Sequence, residues 1–333
     1  MSILSRRFFR RSQHRSRLEN PSSFHLCIHT DGDFGNIYKL HPSGAMKSLH
    51  QCNGCNLLSP LVQGADNNFY GTTESLGKNH VGTIFKITPG GKLRVIYDLN
   101  RKTGYDIVGP LVQGSDGKFY GAASAGGTNG VHGFNGPGTI FRITRSGKLE
   151  VLYNFNGTSD AGFPLGGLVQ GNDGNFYGTA AGDARTSFGI IYRITPAGSF
   201  SVLHTFNNTA GAYPLNTMVQ HTNGIFYGDT IYGGLLSQCH ELGCGVFYSV
   251  DLGLPPFVKL LPSAASVGAT VEILGQGLTG TTAVSFNGVA ASFTVESDTY
   301  LTATVPSGFT TGFVTVTTPG GALTSNTKLR RLP

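Results

Sequence analysis

Residues Leu111–Gly121 read LVQGSDGKFYG. The wording returns as LVQGADNNFYG at Leu61–Gly71, LVQGNDGNFYG at Leu168–Gly178 and MVQHTNGIFYG at Met218–Gly228. The tyrosines of the phrase, Tyr70, Tyr120, Tyr177 and Tyr227, lie 50, 57 and 50 residues apart. A second phrase follows each copy after a Gly-rich variable stretch: GTIFKIT (Gly82–Thr88), GTIFRIT (Gly138–Thr144), GIIYRIT (Gly189–Thr195) and GVFYSVD (Gly245–Asp251). Three copies add a third run, LRVIYDL, LEVLYNF or FSVLHTF. A repeat of this length is a supersecondary unit stacked on its own copies.

Each copy reads as four short strands, a to d. Strand a is PLVQG. The turns Asp116-Gly117, Asp173-Gly174 and Asn223-Gly224 follow, because such dipeptides accept the positive φ of a tight hairpin; Asn67-Asn68 fills this place in the first full copy. Strand b is FYGTT, strand c is GTIFKIT, and a Gly turn leads to strand d. Leu93, Val95, Tyr97 and Leu99 alternate with Arg94, Ile96 and Asp98, so both faces carry apolar groups. Such a sheet must be covered on both faces. Four-stranded sheets packed around an axis meet that demand, which predicts a β-propeller. The glycine closing each FYG is expected to let neighbouring backbones approach. Phe24–Cys52 matches strands b, c and d only, which predicts about five blades, the first incomplete.

These phrases, over roughly residues 24–252, resemble the GloVer tandem repeat. The resemblance implies a bacterial protein that is exported and surface-attached. After Leu254-Pro255-Pro256 the wording changes to alternating Thr and Val with Gly and Pro turns. Val284 and Phe286, Phe293 and Val295, and Val314 and Val316 sit at period two, as in strands of a sandwich. The run Gly268–Gly275, the Phe286-Asn287-Gly288 turn and the step Val305-Pro306-x-Gly308 resemble the IPT/TIG domain, an immunoglobulin-like β-sandwich. That resemblance implies a spacer or partner-binding role. The chain thus divides into a basic head at 1–23, propeller repeats at 24–254 and an immunoglobulin-like domain at 255–333.

The formal charge of +6 is concentrated at the ends. Residues 1–20 carry net +5 and Lys328, Arg330 and Arg331 add +3, leaving about −2 between them. A body this close to neutral argues against a nucleic-acid footprint. No stretch reaches the ~20 apolar residues of a membrane helix. The head lacks the apolar core of a secretory signal. Placement outside the cell or on its surface therefore rests on the resemblance and on the cysteines.

Cys52 and Cys55 form one close pair and Cys239 and Cys244 another, with Cys27 left over. Local disulfides pinning Gly-rich loops, free thiols and zinc ligation are the three readings of that spacing. Strand order puts the b–c and d–a loops on one rim. The b–c loops, Glu74–Val81, Ser124–Pro137, Gly182–Phe188 and Ile231–Gly243, differ in length and wording, as binding loops on a repeated scaffold do. The d–a loops contribute Tyr105, Phe163 and Tyr213, candidates for stacking on sugar rings or for capping the seams between blades. His80, His132 and His240, with Glu241 and Asp183, are weak candidates for a metal or an acid–base pair. No nucleotide, protease or hydrolase phrase is present, and no cofactor is implied. The expected function is non-enzymatic adhesion, or binding of a glycan or surface protein, through one propeller face. A propeller lyase or hydrolase using the loop His and carboxylates, and a structural spacer in an envelope assembly, are the alternatives. The sequence leaves the oligomeric state open.

Overall fold

Short runs of aromatic and β-branched residues, each ended by a turn, pair with their nearest neighbours in sequence. The computed structural model describes residues 25–31, 34–41, 43–53, 55–129, 136–182, 187–235 and 243–332. Among these every regular element is a strand. The first sheet holds β1 (His25–Asp31), β2 (Phe34–Leu40) and β3 (Met46–Asn53). The second holds β4 (Val62–Gln63), β5 (Phe69–Thr73), β6 (Thr83–Ile87) and β7 (Leu93–Asp98), and the third β8 (Val112–Gln113), β9 (Phe119–Ala123), β10 (Thr139–Ile143) and β11 (Leu149–Asn154). The fourth holds β12 (Val169–Gln170), β13 (Phe176–Ala180), β14 (Ile190–Ile194) and β15 (Phe200–Thr205), and the fifth β16 (Val219–Gln220), β17 (Phe226–Asp229) and β18 (Phe247–Val250). All five are antiparallel meanders, the blades of an all-β propeller architecture.

The fifth sheet departs from the four-strand expectation, since it has no outer strand among the described residues. Pro255 and Pro256 fall where that strand would begin, and proline cannot donate to a ladder. The chain instead enters a second unit of β19 (Lys259–Leu261), β20 (Ala264–Ala265), β21 (Thr270–Leu274), β22 (Ala283–Phe286), β23 (Val289–Ala290), β24 (Phe293–Ser297), β25 (Tyr300–Thr304), β26 (Val314–Thr318), β27 (Gly321–Thr324) and β28 (Arg330–Arg331). Two four-stranded sheets, β19-β21-β25-β24 and β23-β22-β26-β27, enclose a core that includes Val271, Ile273, Phe286, Leu301, Phe309 and Val316. This is the immunoglobulin-like sandwich.

In the repeat region the core lies between sheets. Four apolar clusters join the first sheet to the second, the second to the third, the third to the fourth and the fourth to the fifth. One contact recurs at the heart of the last three. The Tyr of each FYG phrase lies against the Phe of the next: Tyr70 on Phe119 with ring centroids 4.0 Å apart, Tyr120 on Phe176 at 3.9 Å, and Tyr177 on Phe226 at 4.5 Å. Neighbouring residues in a strand point to opposite faces, so a Phe-Tyr pair serves both boundaries of its sheet. Burying such a ring contributes ~1.5–3 kcal/mol, and an aromatic pair adds ~0.5–1.5 kcal/mol.

The FYG glycines serve a purpose other than the expected approach of neighbouring backbones. Gly71, Gly121, Gly178 and Gly228 sit opposite Phe85, Phe141, Tyr192 and Tyr248 on strand c of their own sheet. The strand-c ring covers the glycine: a methyl group on Gly178 would stand 2.5 Å from the Tyr192 hydroxyl. Close backbone approach between sheets occurs elsewhere. Strands c and d carry a β-bulge at the same place in the first four sheets, leaving Leu49, Ile96, Leu152 and Leu203 unpaired. The c–d turn glycines Gly91, Gly147 and Gly198, with φ of 92°, 96° and 94°, pack on the carbonyls of Leu49, Ile96 and Leu152 in the preceding sheet. A side chain would be excluded there by both conformation and space.

A polar clasp runs along the inner strands. Gln113 Oε1 accepts from the Ala65 amide of the preceding sheet at 2.8 Å, Gln170 from Ser115 at 2.9 Å, and Gln220 from Asn172 at 3.1 Å. Replacing Gly178 with valine should displace the Tyr192 ring and lower stability by about 1–3 kcal/mol, the usual cost of overpacking. Thermal melting checks this, and an unchanged Tm would contradict the packing described.

Candidate binding rim

The two ends of the sheets differ. At one end the d–a and b–c loops are tied together by a hydrogen bond repeated four times. The carbonyls of Asn56, Asp106, Phe163 and Tyr213 accept from the amides of Glu74 (2.8 Å), Ser124 (3.1 Å), Ala181 (3.1 Å) and Ile231 (3.1 Å). At the other end the a–b turns meet the sandwich. The Phe257 amide donates to the Thr222 carbonyl at 2.9 Å and Asn172 Nδ2 to the Pro255 carbonyl at 2.7 Å. Gln276 Nε2 donates to Thr222 Oγ1 at 3.2 Å, and Arg330 reaches Asn67 Oδ1 at 3.3 Å. Between these turns and Phe257, Phe313 and Asn326 lies a cleft of about 400 Å³.

The repeated bond defines one equivalent position per sheet, and it corrects the register of the rim. Counting back five residues from the Leu or Met before Val-Gln gives Asn56, Asp106, Phe163 and Tyr213. Asp106, not Tyr105, is therefore the partner of Phe163 and Tyr213. Their φ values agree, at 59°, 55° and 59°. Positive φ is costly for bulky side chains, and such outliers concentrate at functional positions. Tyr105 stands one residue earlier, bridged to Ala125 and packed half-buried against the cluster between the second and third sheets.

The side chains at this position vary while the carbonyl hydrogen bond recurs in all four, and the positive φ is shared by Asp106, Phe163 and Tyr213. Asn56 Nδ2 donates to Glu74, and Ser124 Oγ donates to Asp106 Oδ2 at 2.7 Å. Phe163 and Tyr213 are half-buried. The Tyr213 ring meets Tyr232 edge-on at 5.4 Å, and its amide donates to the carbonyl of Phe188, whose side chain is exposed. Phe188 and Tyr232 were not among the sequence candidates. Aligning the b–c loops on their flanking strands, instead of on their wording, would have found them.

His80 is exposed at φ 56° in the first of these loops. His132, His240, Asp183 and Glu241 lie outside the described residues. Among the described residues, no three His, Cys, Asp or Glu side chains converge as metal ligands. Cys52 and Cys55 are joined by a disulfide that closes the link between β3 and β4. Cys244 is also disulfide-bonded, and Cys239 lies outside the described residues.

The fold and rim define a bladed repeat protein that carries an immunoglobulin-like module on one end. The chain belongs to the Gloeobacter/Verrucomicrobia repeat family, whose model matches residues 25–240, and an IPT/TIG domain matches residues 255–330. Among solved structures it is similar to a gluconolactonase from Xanthomonas campestris, at 10% identity over 81% of this chain and 79% of that one, with a TM-score of 0.40. It is also similar to a Bacteroides thetaiotaomicron protein of unknown function, at 12% identity over 62% of this chain and 53% of that one, TM-score 0.43. An auxiliary nutrient binding protein from the same organism matches at 13% identity over 63% of this chain and 57% of that one, TM-score 0.40. No curated protein sequence matches the chain.

At the opposite end from the rim, the a–b turns carry a second repeated pair. Tyr70, Tyr120 and Tyr177 donate to Asp66, Asp116 and Asp173 at 2.8, 3.0 and 2.8 Å. Burial raises the Asp116 pKa, but bonds from the Lys118 amide and the Tyr120 hydroxyl outweigh it and hold the carboxyl low. Burial, then the bond to Asp116, pushes Tyr120 up to about 12, and Tyr70 and Tyr177 are raised for the same reasons. An unfolded tyrosine ionises near ~10. Between ~10 and ~12 the unfolded chain loses protons that the folded chain keeps, so stability present below pH ~10 is lost as pH rises. The urea midpoint should fall steeply across that window. A midpoint flat to pH ~12 would mean that the hydroxyls are not held as described.

Proposed function

We propose that this is a non-enzymatic binding protein, secreted or displayed on the cell surface, which contacts a glycan or a surface partner through the b–c rim. One observation carries the reading: a single backbone position, repeated in four sheets, holds Asn56, Asp106, Phe163 and Tyr213 on the end that the sandwich leaves free. A conserved scaffold with varied side chains is the arrangement of a recognition surface. The rings of Phe163 and Tyr213, with Tyr232 and exposed Phe188 beside Tyr213, offer apolar faces that suit the C–H faces of a sugar. The polar pairs Asn56–Glu74 and Asp106–Ser124 offer hydrogen bonds on the other sheets.

The family resemblance and the disulfides support placement in an oxidising compartment. The sandwich, seated on the opposite end, would serve as the spacer that presents the rim.

A glycan array probed with the folded protein should show binding that Tyr213→Ala weakens at least severalfold. An array with no positive glycan would end the sugar reading and leave a protein partner or a spacer role. Mass spectrometry of the oxidised chain should recover linked Cys52–Cys55 and Cys239–Cys244 peptides. Free thiols at positions 239 and 244 would count against export.

A further inference from the structure

One register position recurs in the first four sheets, where the end of strand c faces the start of strand d. In the third sheet it pairs Arg142 with Glu150, and in the fourth Arg193 with Ser201. The third sheet shows how a cation there is ordinarily satisfied. Arg142 Nε and Nη2 donate to Glu150 Oε2 at 3.1 and 2.8 Å, and Nη1 donates at 2.7 Å to the carbonyl of Pro196, in the c–d turn of the next sheet. In the second sheet the same position pairs Lys86 with Arg94, and in the first Lys39 with Lys47. Directly opposed residues have Cβ atoms about 4.5–5.5 Å apart, and like charges so placed are destabilising. Among the described residues no carboxylate forms an ion pair with Lys86 or Arg94.

The c–d turns add to this charge. The bond from Arg142 shows that a strand-c cation here reaches forward, to the residue after the threonine of the next turn. For Lys86 that residue is Arg145, in the place that Pro196 holds one sheet later. Arg145 also lies within electrostatic reach of Asp66 and Tyr70 of the second sheet. Lys86, Arg94 and Arg145 thus share the boundary between the second and third sheets. The Asp66 carboxylate beside them already accepts from Tyr70 and Asn68.

The glycine turns join these cations into one band. The turn that holds Lys92 packs through Gly91 on Leu49 of the first sheet, close in sequence to Lys47. The turn that holds Arg145 and Lys148 packs through Gly147 on Ile96 of the second sheet, close to Arg94. Lys47, Lys92, Arg94, Arg145 and Lys148 are all exposed. The band ends at the fourth sheet, where Pro196, Ser199 and Ser201 stand in the places of Arg145, Lys148 and Glu150.

We propose that this band binds a linear acidic polysaccharide, whose carboxylates or sulfates supply the anions that Glu150 supplies in the third sheet. The opposed cations cost stability in the free chain, and an anionic ligand offsets that cost when it binds. A polymer fits the band better than a flat anionic bilayer does, because successive sheets turn about an axis and carry the cations away from any one plane. A sugar fits better than a single-stranded nucleic acid, because the band exposes no aromatic ring on which a base could stack. The c–d turns lie at the end of the sheets opposite the b–c rim, so the inference is independent of the rim.

The test measures binding of the full chain to alginate and to dextran sulfate, with dextran as the neutral polymer, by isothermal titration at low salt. At least one acidic polymer should bind, dextran should not, and added sodium chloride should weaken the contact by screening. Arg94→Glu gives the second sheet the cation–carboxylate pair of the third. It should weaken binding about tenfold, while Tm stays unchanged or rises. Lys102→Glu makes the same change in charge at an exposed residue near the opposite rim and should alter affinity little, which separates the band from total charge and from the basic head that every variant keeps. Tyr213→Ala should leave this binding intact, so that failure here is distinct from failure at the rim. Equal losses for Arg94→Glu and Lys102→Glu would overturn the proposal. So would equal affinity for a thymidine oligonucleotide or for phosphatidylglycerol vesicles, or no binding to either acidic polymer.

Discussion

The repeat region depends on the contact between the Tyr of one sheet and the Phe of the next. Four short strands with a two-residue inner member have too little surface for a core of their own. Each sheet is therefore stable only as a filling between neighbours, and the Phe-Tyr pair divides the work: Phe faces back and Tyr faces forward. Tyr can take this place because its hydroxyl reaches the Asp of its own a–b turn. The ring is buried and its polar atom is satisfied, as a buried phenol requires. In the fifth sheet Asn223 replaces that Asp and His221 replaces the underlying glycine, and Tyr227 leaves the inward position.

The other recurrent devices serve the same stacking. The bulge in strand d adds twist and leaves a carbonyl on the outer edge, against which a glycine turn of the next sheet can settle. The Gln clasp ties the inner edge. Inner edge, ring contact and outer turn fix successive sheets at three points, so their relative orientation leaves little freedom. A rigid frame of this kind lets b–c loops vary without disturbing the core. It also explains why the last sheet differs: where the series stops, an apolar surface is left uncovered by any described residue.

Much of the architecture was legible in the residues. The FYG and GTIF phrases marked strands b and c, the Asp-Gly and Asn-Gly dipeptides marked the a–b turns, and the prolines after Leu254 marked the passage to the sandwich. The rim was legible only in part. Phe163 and Tyr213 are marked in the sequence by the prolines that follow them, but Tyr105 shares only their aromaticity, and the structure puts Asp106 in register with them. Residue type is a poor guide there, because the shared feature is a backbone conformation and a carbonyl hydrogen bond. Phe188 and Tyr232 escaped notice because variable loops have no wording to align.

Taken alone, the amino-acid order determined what each strand is and which of its faces are apolar, since those follow from local alternation and turn chemistry. Only the tertiary structure decided what each apolar face meets. It made the FYG glycine a seat for a ring of its own sheet, brought Gln276 of the sandwich onto Thr222 of the fifth sheet, and left Phe247 exposed. The reason is that identical words produce identical surfaces, whereas burial depends on whether a partner surface arrives, and that is a property of the whole chain's path.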